Sequence, residues 1–147
     1  MAKSDILVMG ELNVDLILSQ LHSFPRVGAE VLADRMLLAL GSSSAIFASN
    51  AAAIGATVSF LGKIGTDYFG KFIIEALKSN NVKTAAIIRS ADYVTGATIA
   101  MNFGEDRAMV THPGAMNFLS GDNLTEKLLG GYRHLHVSSV FLQPLVK

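Results

Sequence analysis

Cysteine and tryptophan are both missing from the 147 residues, and proline occurs only 3 times. Without cysteine there is no disulfide framework, no thiolate metal site and no thiol nucleophile, a composition compatible with a reducing compartment. We therefore expect a cytoplasmic protein. Charge is equally scarce. Lys and Arg number 12, Asp and Glu 12, only 16% of residues are charged, and no basic run occurs. Nucleic acid and anionic membrane surfaces, which need clustered Lys and Arg, are excluded as partners. No apolar run approaches the roughly 20 residues of a membrane helix. The first one is short and flanked by Asp5 and Glu11, which also excludes a signal peptide. The 4 histidines (His22, His112, His134 and His136) do not make a metal set. His134 and His136 share a strand face, but no third ligand accompanies them.

What is present is apolar: 50% of the chain is hydrophobic, enough for one folded domain over residues 1–147 and incompatible with a disordered tail. The stretch Leu40–Gly70 organises it. Gly41, Ser42, Ser43 and Ser44 precede an alanine-rich run, Ala45 to Ile54, that reads as a helix with Ser43 or Ser44 as its N-cap. Gly55 suits the left-handed residue that ends it. Thr57 to Leu61 then reads as a buried strand, and Gly62, Gly65 and Gly70 bracket the next connection. Small residues at a helix start let an oxygen-rich ligand reach free N–H groups and the positive end of the helix dipole. They serve equally for close helix–sheet packing, and this stretch alone supports both readings.

Asp5 to Gly10 is a near-continuous apolar run, the pattern of a strand covered on both faces, with Gly10 marking a bulge or a close backbone approach. Asp15 is an isolated acid in an apolar neighbourhood, so it needs partners, a cleft or a turn to cap. His22 to Leu40 carries turn signals at Pro25 and Gly28 and then partial alternation. Tyr68 to Ser79 is predicted helical, capped by Asp67, with Phe69, Phe72, Ile73, Ala76 and Leu77 as a core stripe. Val82–Ile88 and Tyr93–Asn102 read as strands, and Ala97–Thr111 as a hairpin turning at Gly104–Arg107. Thr98, Ala100 and Asn102 fall on one face of it. His112 to Ala115 form a loop, Leu119–Leu129 a short helix, and Tyr132–Val140 a final strand. The alternation of strands and helices predicts an α/β sandwich with a mostly parallel sheet, whose ligands sit beyond the strand C-termini.

The arrangement resembles the N-terminal half of the PfkB carbohydrate kinase family, the ribokinase-like sugar and nucleoside kinases. Gly41, Ala48, Gly55 and Gly65 keep the spacing of the family's first signature, and Gly65, Asp67 and Gly70 its following segment. Ser42 and Ser44 depart from the small residues, normally including Gly, expected there, and Ile46 stands where the family usually has Asn. The resemblance implies a ribokinase-like sandwich with a small β lid, over segments 22–40 and 93–111. It implies a substrate set of Asn13, Asp15, Gly41, Ser42, Ser43, Ile46, Thr98, Asn102 and Gln143, with Asp15 at the end of the first strand accepting from sugar hydroxyls. It further implies a homodimer paired through lid strands.

The reaction implied is transfer of the ATP γ-phosphoryl group to a hydroxyl of a sugar, nucleoside or related small molecule, with Mg²⁺. The family's base lies in a Gly-Ala-Gly-Asp segment that these 147 residues do not contain, and no Walker-type loop replaces it. The last strand runs into FLQPLVK without a closing helix. We therefore expect a truncated chain: an acceptor half-site with no catalytic residues, no cofactor or metal ligands, and no activity of its own. Two other readings are carried. One is a non-catalytic ligand-binding or regulatory module of the same fold. The other, a dinucleotide-dependent dehydrogenase, lacks GxGxxG after the first strand, where Gly10-Glu11-Leu12-Asn13 stands.

Overall fold

The computed structural model describes residues 4–146. Strand β1 (Ser4–Met9) lies between β4 (Val58–Leu61) and β9 (Tyr132–Val137) in an all-parallel, three-stranded sheet. Val8, Val58 and Phe60 are wholly buried there, the covering on both faces that their unbroken apolar sequence demands. Helix α1 (Ser43–Ala53) packs on this sheet through Ala45, Ala48, Ala51 and Ala52. Alanine lets the helix axis come close without leaving a cavity. Helix α2 (Tyr68–Ser79) buries Gly70, Ile73, Ile74 and Leu77, the i, i+3, i+4, i+7 stripe of an amphipathic helix. Each such buried Ile or Leu contributes about 1.5–3 kcal/mol through area removed from water.

A second sheet projects from the first. Its order is β3 (Ala33–Leu40), β2 (Asn13–Leu21), β7 (Gly96–Phe103), β8 (Asp106–His112), with β2 and β7 parallel and both outer pairs antiparallel. The β7–β8 hairpin turns at Gly104, which holds φ +58°. A short parallel pair, β5 (Lys63–Gly65) and β6 (Ile88–Ser90), completes the strands.

Several boundaries differ from the sequence reading. The second sheet is not confined to 22–40 and 93–111, because the long strand Asn13–Leu21 is one of its two inner strands. Asp15 therefore sits on β2, beyond the end of β1 at Met9. Val82–Ile88 is not a strand: Val82 turns into the core, and Ile87 N–H bonds back to Thr84 O at 3.1 Å. The second expected strand starts at Gly96 rather than Tyr93. Leu119–Leu129 is not one helix, since Ser120 and Asn123 close a reciprocal capping box around a tight 3₁₀ turn. Only Glu126–Leu129 is α-helical (α3). Strand β9 stops at Val137, because the chain reverses at Ser139, which holds φ 51°.

Candidate functional site

The start of β2, the Gly41 bend and the start of α1 meet at one place. Asn13, Asp15, Ile17 and Ser19 alternate onto one face of β2, joined by Thr98 on β7 and Thr111 on β8. The Asn13 side-chain amide donates to Asp15 Oδ1 at 2.9 Å and to Thr98 Oγ1 at 3.1 Å, and Thr98 shares a 2.9 Å bond with Thr111. This network leaves Asp15 oriented but only partly covered. Burial pushes its carboxyl above the ordinary aspartate value, opposed by the Asn13 hydrogen bond and by the nearby charge of Arg107.

Gly41 lies directly against this carboxylate. A Cβ at Gly41 would run into Asp15 Oδ1 and lie 2.7 Å from Asn13 Nδ2, so only glycine allows the bend to approach. The Gly41 N–H bonds to Asn13 O at 3.0 Å, tying the bend to β2. The first-strand acid of the sequence reading and the small-residue bend thus share one side of the sheet.

The N-cap of α1 is Ser42, not Ser43 or Ser44. Its Oγ accepts from Ala45 N–H at 3.0 Å and donates to Glu11 O at 2.6 Å. Ser42 holds φ 76°, a left-handed conformation that favours glycine, and these two bonds hold it there. Ser43 and Ser44 instead serve Glu11, a residue that the sequence reading used only as a charged flank. Glu11 is 2% exposed. Its Oε1 accepts from Ser43 N–H and Ser43 Oγ–H, both at 2.9 Å, and its Oε2 accepts from Ser44 Oγ–H at 2.7 Å. A carboxylate at the first turn satisfies orphan N–H groups and suits the helix dipole. Gly10 has no room for a side chain because Ser44 occupies the space beside it, which decides for close approach over a bulge. The available signal was a lone acid next to a glycine in an apolar run.

Other expected residues are placed differently. Ile46, on the first turn of α1, is half exposed. Asn102 lies four residues beyond Thr98 on β7 and donates to Ser19 Oγ at 3.3 Å, away from the Asp15 network. Gln143 is wholly buried, and its Nε2 donates to Ser138 O at 3.3 Å, so it braces the turn after β9 instead of facing an open cleft. Among the described residues no group of three His, Asp or Glu side chains is suited to a metal. His136 stacks on Phe47 with centroids 3.7 Å apart, and burial followed by the His134 charge lowers its pKa, against the opposing pull of Glu11.

Asp67 takes the cap role expected of it. Its Oδ1 accepts from Gly70 N–H at 2.9 Å, and its two oxygens accept from the Thr95 hydroxyl and N–H at 2.7 Å each. Burial alone would raise its pKa, but these donors outweigh it and hold the carboxyl below the ordinary value.

Comparison with known proteins decides the family, because the model for the pfkB family carbohydrate kinases matches residues 3–147. The chain belongs to the pfkB family. It is 30% identical over 120 residues to the ribokinase of Mus musculus, covering 81% of this chain and 37% of that protein. It is 30% identical to the probable fructokinase-4 of Arabidopsis thaliana, covering 95% of this chain and 42% of that one. The chain thus spans well under half the length of these pfkB relatives. Among solved structures, the ribokinase of Cryptococcus neoformans in complex with ADP superposes with a TM-score of 0.78 at 29% identity, over 97% of this chain and 43% of its own. A PfkB protein from Polaromonas superposes with a TM-score of 0.78 at 20% identity, covering 90% of this chain and 44% of that one. The ribokinase-like sandwich expected from the sequence is the fold observed.

Proposed function

We propose that this chain is the acceptor-binding part of an ATP-dependent carbohydrate kinase. Asp15 carries the reading. It is a carboxylate oriented by Asn13, kept partly open, and set against the Gly41 backbone. A carboxylate accepts from two hydroxyls at once, which suits neighbouring hydroxyls of a sugar or a nucleoside ribose. Gly41, Ser42 and Ser43 bound the cradle on the α1 side, and Thr98 supports it from β7. We assign Asn13 and Thr98 to orienting Asp15, because their side chains are buried within the network. Ile46 supplies apolar surface where relatives place an amide, so the acceptor is less hydroxylated on that side or held more weakly.

ATP and Mg²⁺ belong to the longer kinase in this proposal. The residues present do not fit them: there is no Gly-Ala-Gly-Asp segment, and among the described residues no acidic cluster is suited to a metal. The chemistry assigned to this chain is therefore binding and orientation of the acceptor, with water excluded by the second sheet acting as a lid. The edge strands of that sheet, β3 and β8, expose Met36, Leu37, Met109 and Val110, which suits pairing between two copies. Sedimentation of the chain tests the pairing, and a monomer at all concentrations overturns it. No described helix is long and apolar enough to cross a membrane. We place the protein in the cytoplasm.

Calorimetric titration with ribose and with fructose, beside an ATP-dependent phosphorylation assay, tests the reading. Expected are binding of one sugar, loss of that binding in Asp15→Asn, and no turnover by the 147 residues alone. Turnover at the level of an intact family kinase, or sugar binding indifferent to Asp15→Asn, refutes it.

A further inference from the structure

The second sheet meets the rest of the molecule at the start of β7, where Thr95 is only 2% exposed. Three hydrogen bonds converge on this threonine. Its hydroxyl accepts from Gly65 N–H at 3.0 Å and donates to Asp67 Oδ1 at 2.7 Å, and its N–H donates to Asp67 Oδ2 at 2.7 Å. Both bonds to Asp67 are short and charge-assisted, the kind that holds a geometry firmly. Capping α2 needs less than this. Oδ1 accepts from Gly70 N–H at 2.9 Å, a role that a serine hydroxyl also fills, and the bond of Oδ2 to Thr95 N–H lies outside any capping role. The contact also needs bare backbone beside it. A Cβ on Gly65 would lie 2.8 Å from both Asp67 Oδ2 and Thr95 N, and one on Gly70 would lie 3.0 Å from Thr95 Oγ1.

From Thr95 the path to the Asp15 network is short. The next residue, Gly96, pairs with Asn13 across the β2–β7 ladder. A Cβ on Gly96 would sit 3.2 Å from Asn13 Cβ and 3.3 Å from Leu12 O, so the β7 backbone rests on the residue that orients Asp15. Further along the same strand, Thr98 accepts from the Asn13 amide at 3.1 Å. Asn13 is therefore gripped from β7 at Gly96 and at Thr98, and both shift with the start of the strand. On the other side of the joint, Asp67 stands at the first turn of α2, whose Gly70, Ile73, Ile74 and Leu77 are buried. A helix packed in this way is a fixed platform, because close-packed interiors do not deform continuously.

We propose that Asp67 is a positioning residue of the acceptor site: its carboxylate clamps the start of β7 to α2 and so sets where Asn13 and Thr98 hold Asp15. The inference rests on the acceptor-binding reading above. Asp67 touches no acceptor and acts through Thr95, Gly96 and Asn13. Cutting the clamp at Asp67 with a residue that still caps α2 leaves the Asp15 carboxylate in the chain and removes only the tie between strand and helix. A cradle that its ligand must then order binds more weakly than one already set.

Calorimetric titration with ribose and fructose, beside nuclear magnetic resonance of the Asn13 side-chain amide, tests this in Asp67→Ser, Thr95→Val, Thr95→Ser and Thr125→Ala. Asp67→Ser keeps a hydroxyl that caps α2 but does not reach Thr95. Thr125→Ala removes the cap of α3, whose Leu128 and Leu129 pack with Leu7 and Met9 in a separate core, and reports what lost stability alone does. Affinity for the bound sugar is expected to fall about tenfold in Asp67→Ser and in Thr95→Val, the equivalent of one lost hydrogen bond, and the Asn13 amide signals to shift. Thr95→Ser, which keeps the hydroxyl, holds affinity within about twofold of native with the Asn13 signals in place. Thr125→Ala leaves both readouts unchanged. Native affinity in either Asp67→Ser or Thr95→Val, Asn13 signals that do not move, or an equal loss in Thr125→Ala overturns the proposal. If Asp67→Ser fails to fold, Thr95→Val against Thr95→Ser decides by the same readouts. Asp15→Asn separates the two readings. If it abolishes sugar binding while Asp67→Ser binds as the native chain does, the clamp fails alone. If the native chain binds neither sugar, or binds one indifferently to Asp15→Asn, the acceptor reading fails and the Asn13 signals decide the clamp.

Discussion

Replacing Glu11 by Gln keeps the side-chain volume and removes the charge at the first turn of α1. In the native chain this carboxylate accepts from Ser43 N–H and from the hydroxyls of Ser43 and Ser44 at 2.7–2.9 Å, with a longer contact to Ser44 N–H at 3.4 Å. Hydrogen bonds to a charged partner contribute about 1.5–3 kcal/mol each, against about 0.5–1.5 for neutral pairs. The loss is softened because Ser138 and Ser139 already bond the same hydroxyls, at 2.6 and 2.8 Å. Glu11→Gln should then destabilise by about 2 kcal/mol, and Glu11→Ala, which strands the donors, by about 4. In a chain of this length each kcal/mol lowers the Tm by about 2–4 °C. Urea unfolding followed by circular dichroism, with a thermal scan, measures both. The Gly41 bend lies between Glu11's partners and Asp15, so sugar affinity should fall in parallel with stability. If both variants lie within about 0.5 kcal/mol of the native chain, the buried carboxylate does not anchor α1 and the reasoning is refuted.

Gly41→Ala should displace the Asp15 carboxylate, cost about 1–3 kcal/mol as an overpacked contact, and abolish sugar binding; titration and urea unfolding read the two effects. Sugar binding should weaken as pH falls through the raised pKa of Asp15, since protonation removes the acceptor, and Asp15→Asn should be weak at every pH. Asp67 is held below its ordinary value, so its stabilising effect is complete above the unfolded aspartate range and is lost as pH falls through the depressed value. Asp67→Ala should cost about 1–2 kcal/mol near neutrality and flatten that acid limb of the unfolding curve. Ser42→Gly should change stability by less than about 1 kcal/mol, because relief of the left-handed φ offsets the lost cap bond.

Much of this site was legible in the chain before folding. Asp67 followed by Gly70 and an apolar stripe at helical spacing is a local pattern, and the cap and helix appear where that pattern puts them. Gly41 before an alanine run marked either ligand access or close helix–sheet packing, and its contact with the Asp15 side chain was not part of that pattern. Gln143 shows the opposite case. A polar residue just after a strand reads as a ligand, but the reversal at Ser139 turns it inward onto Ser138 O.

Periodicity and small-residue spacing are properties of neighbouring residues, so the sequence by itself determined helices α1 and α2, the parallel strands around β1 and the presence of a polar bend. The partners of Glu11 lie more than thirty positions away, and the row Asp15, Thr98 and Thr111 exists only once β2, β7 and β8 are in register. Those pairings depend on which edges meet when the apolar faces are buried. Tertiary structure alone decided that an acid flanking β1 would close the start of α1, and that Asn13 on β2 would join Asp15 to Thr98 on β7.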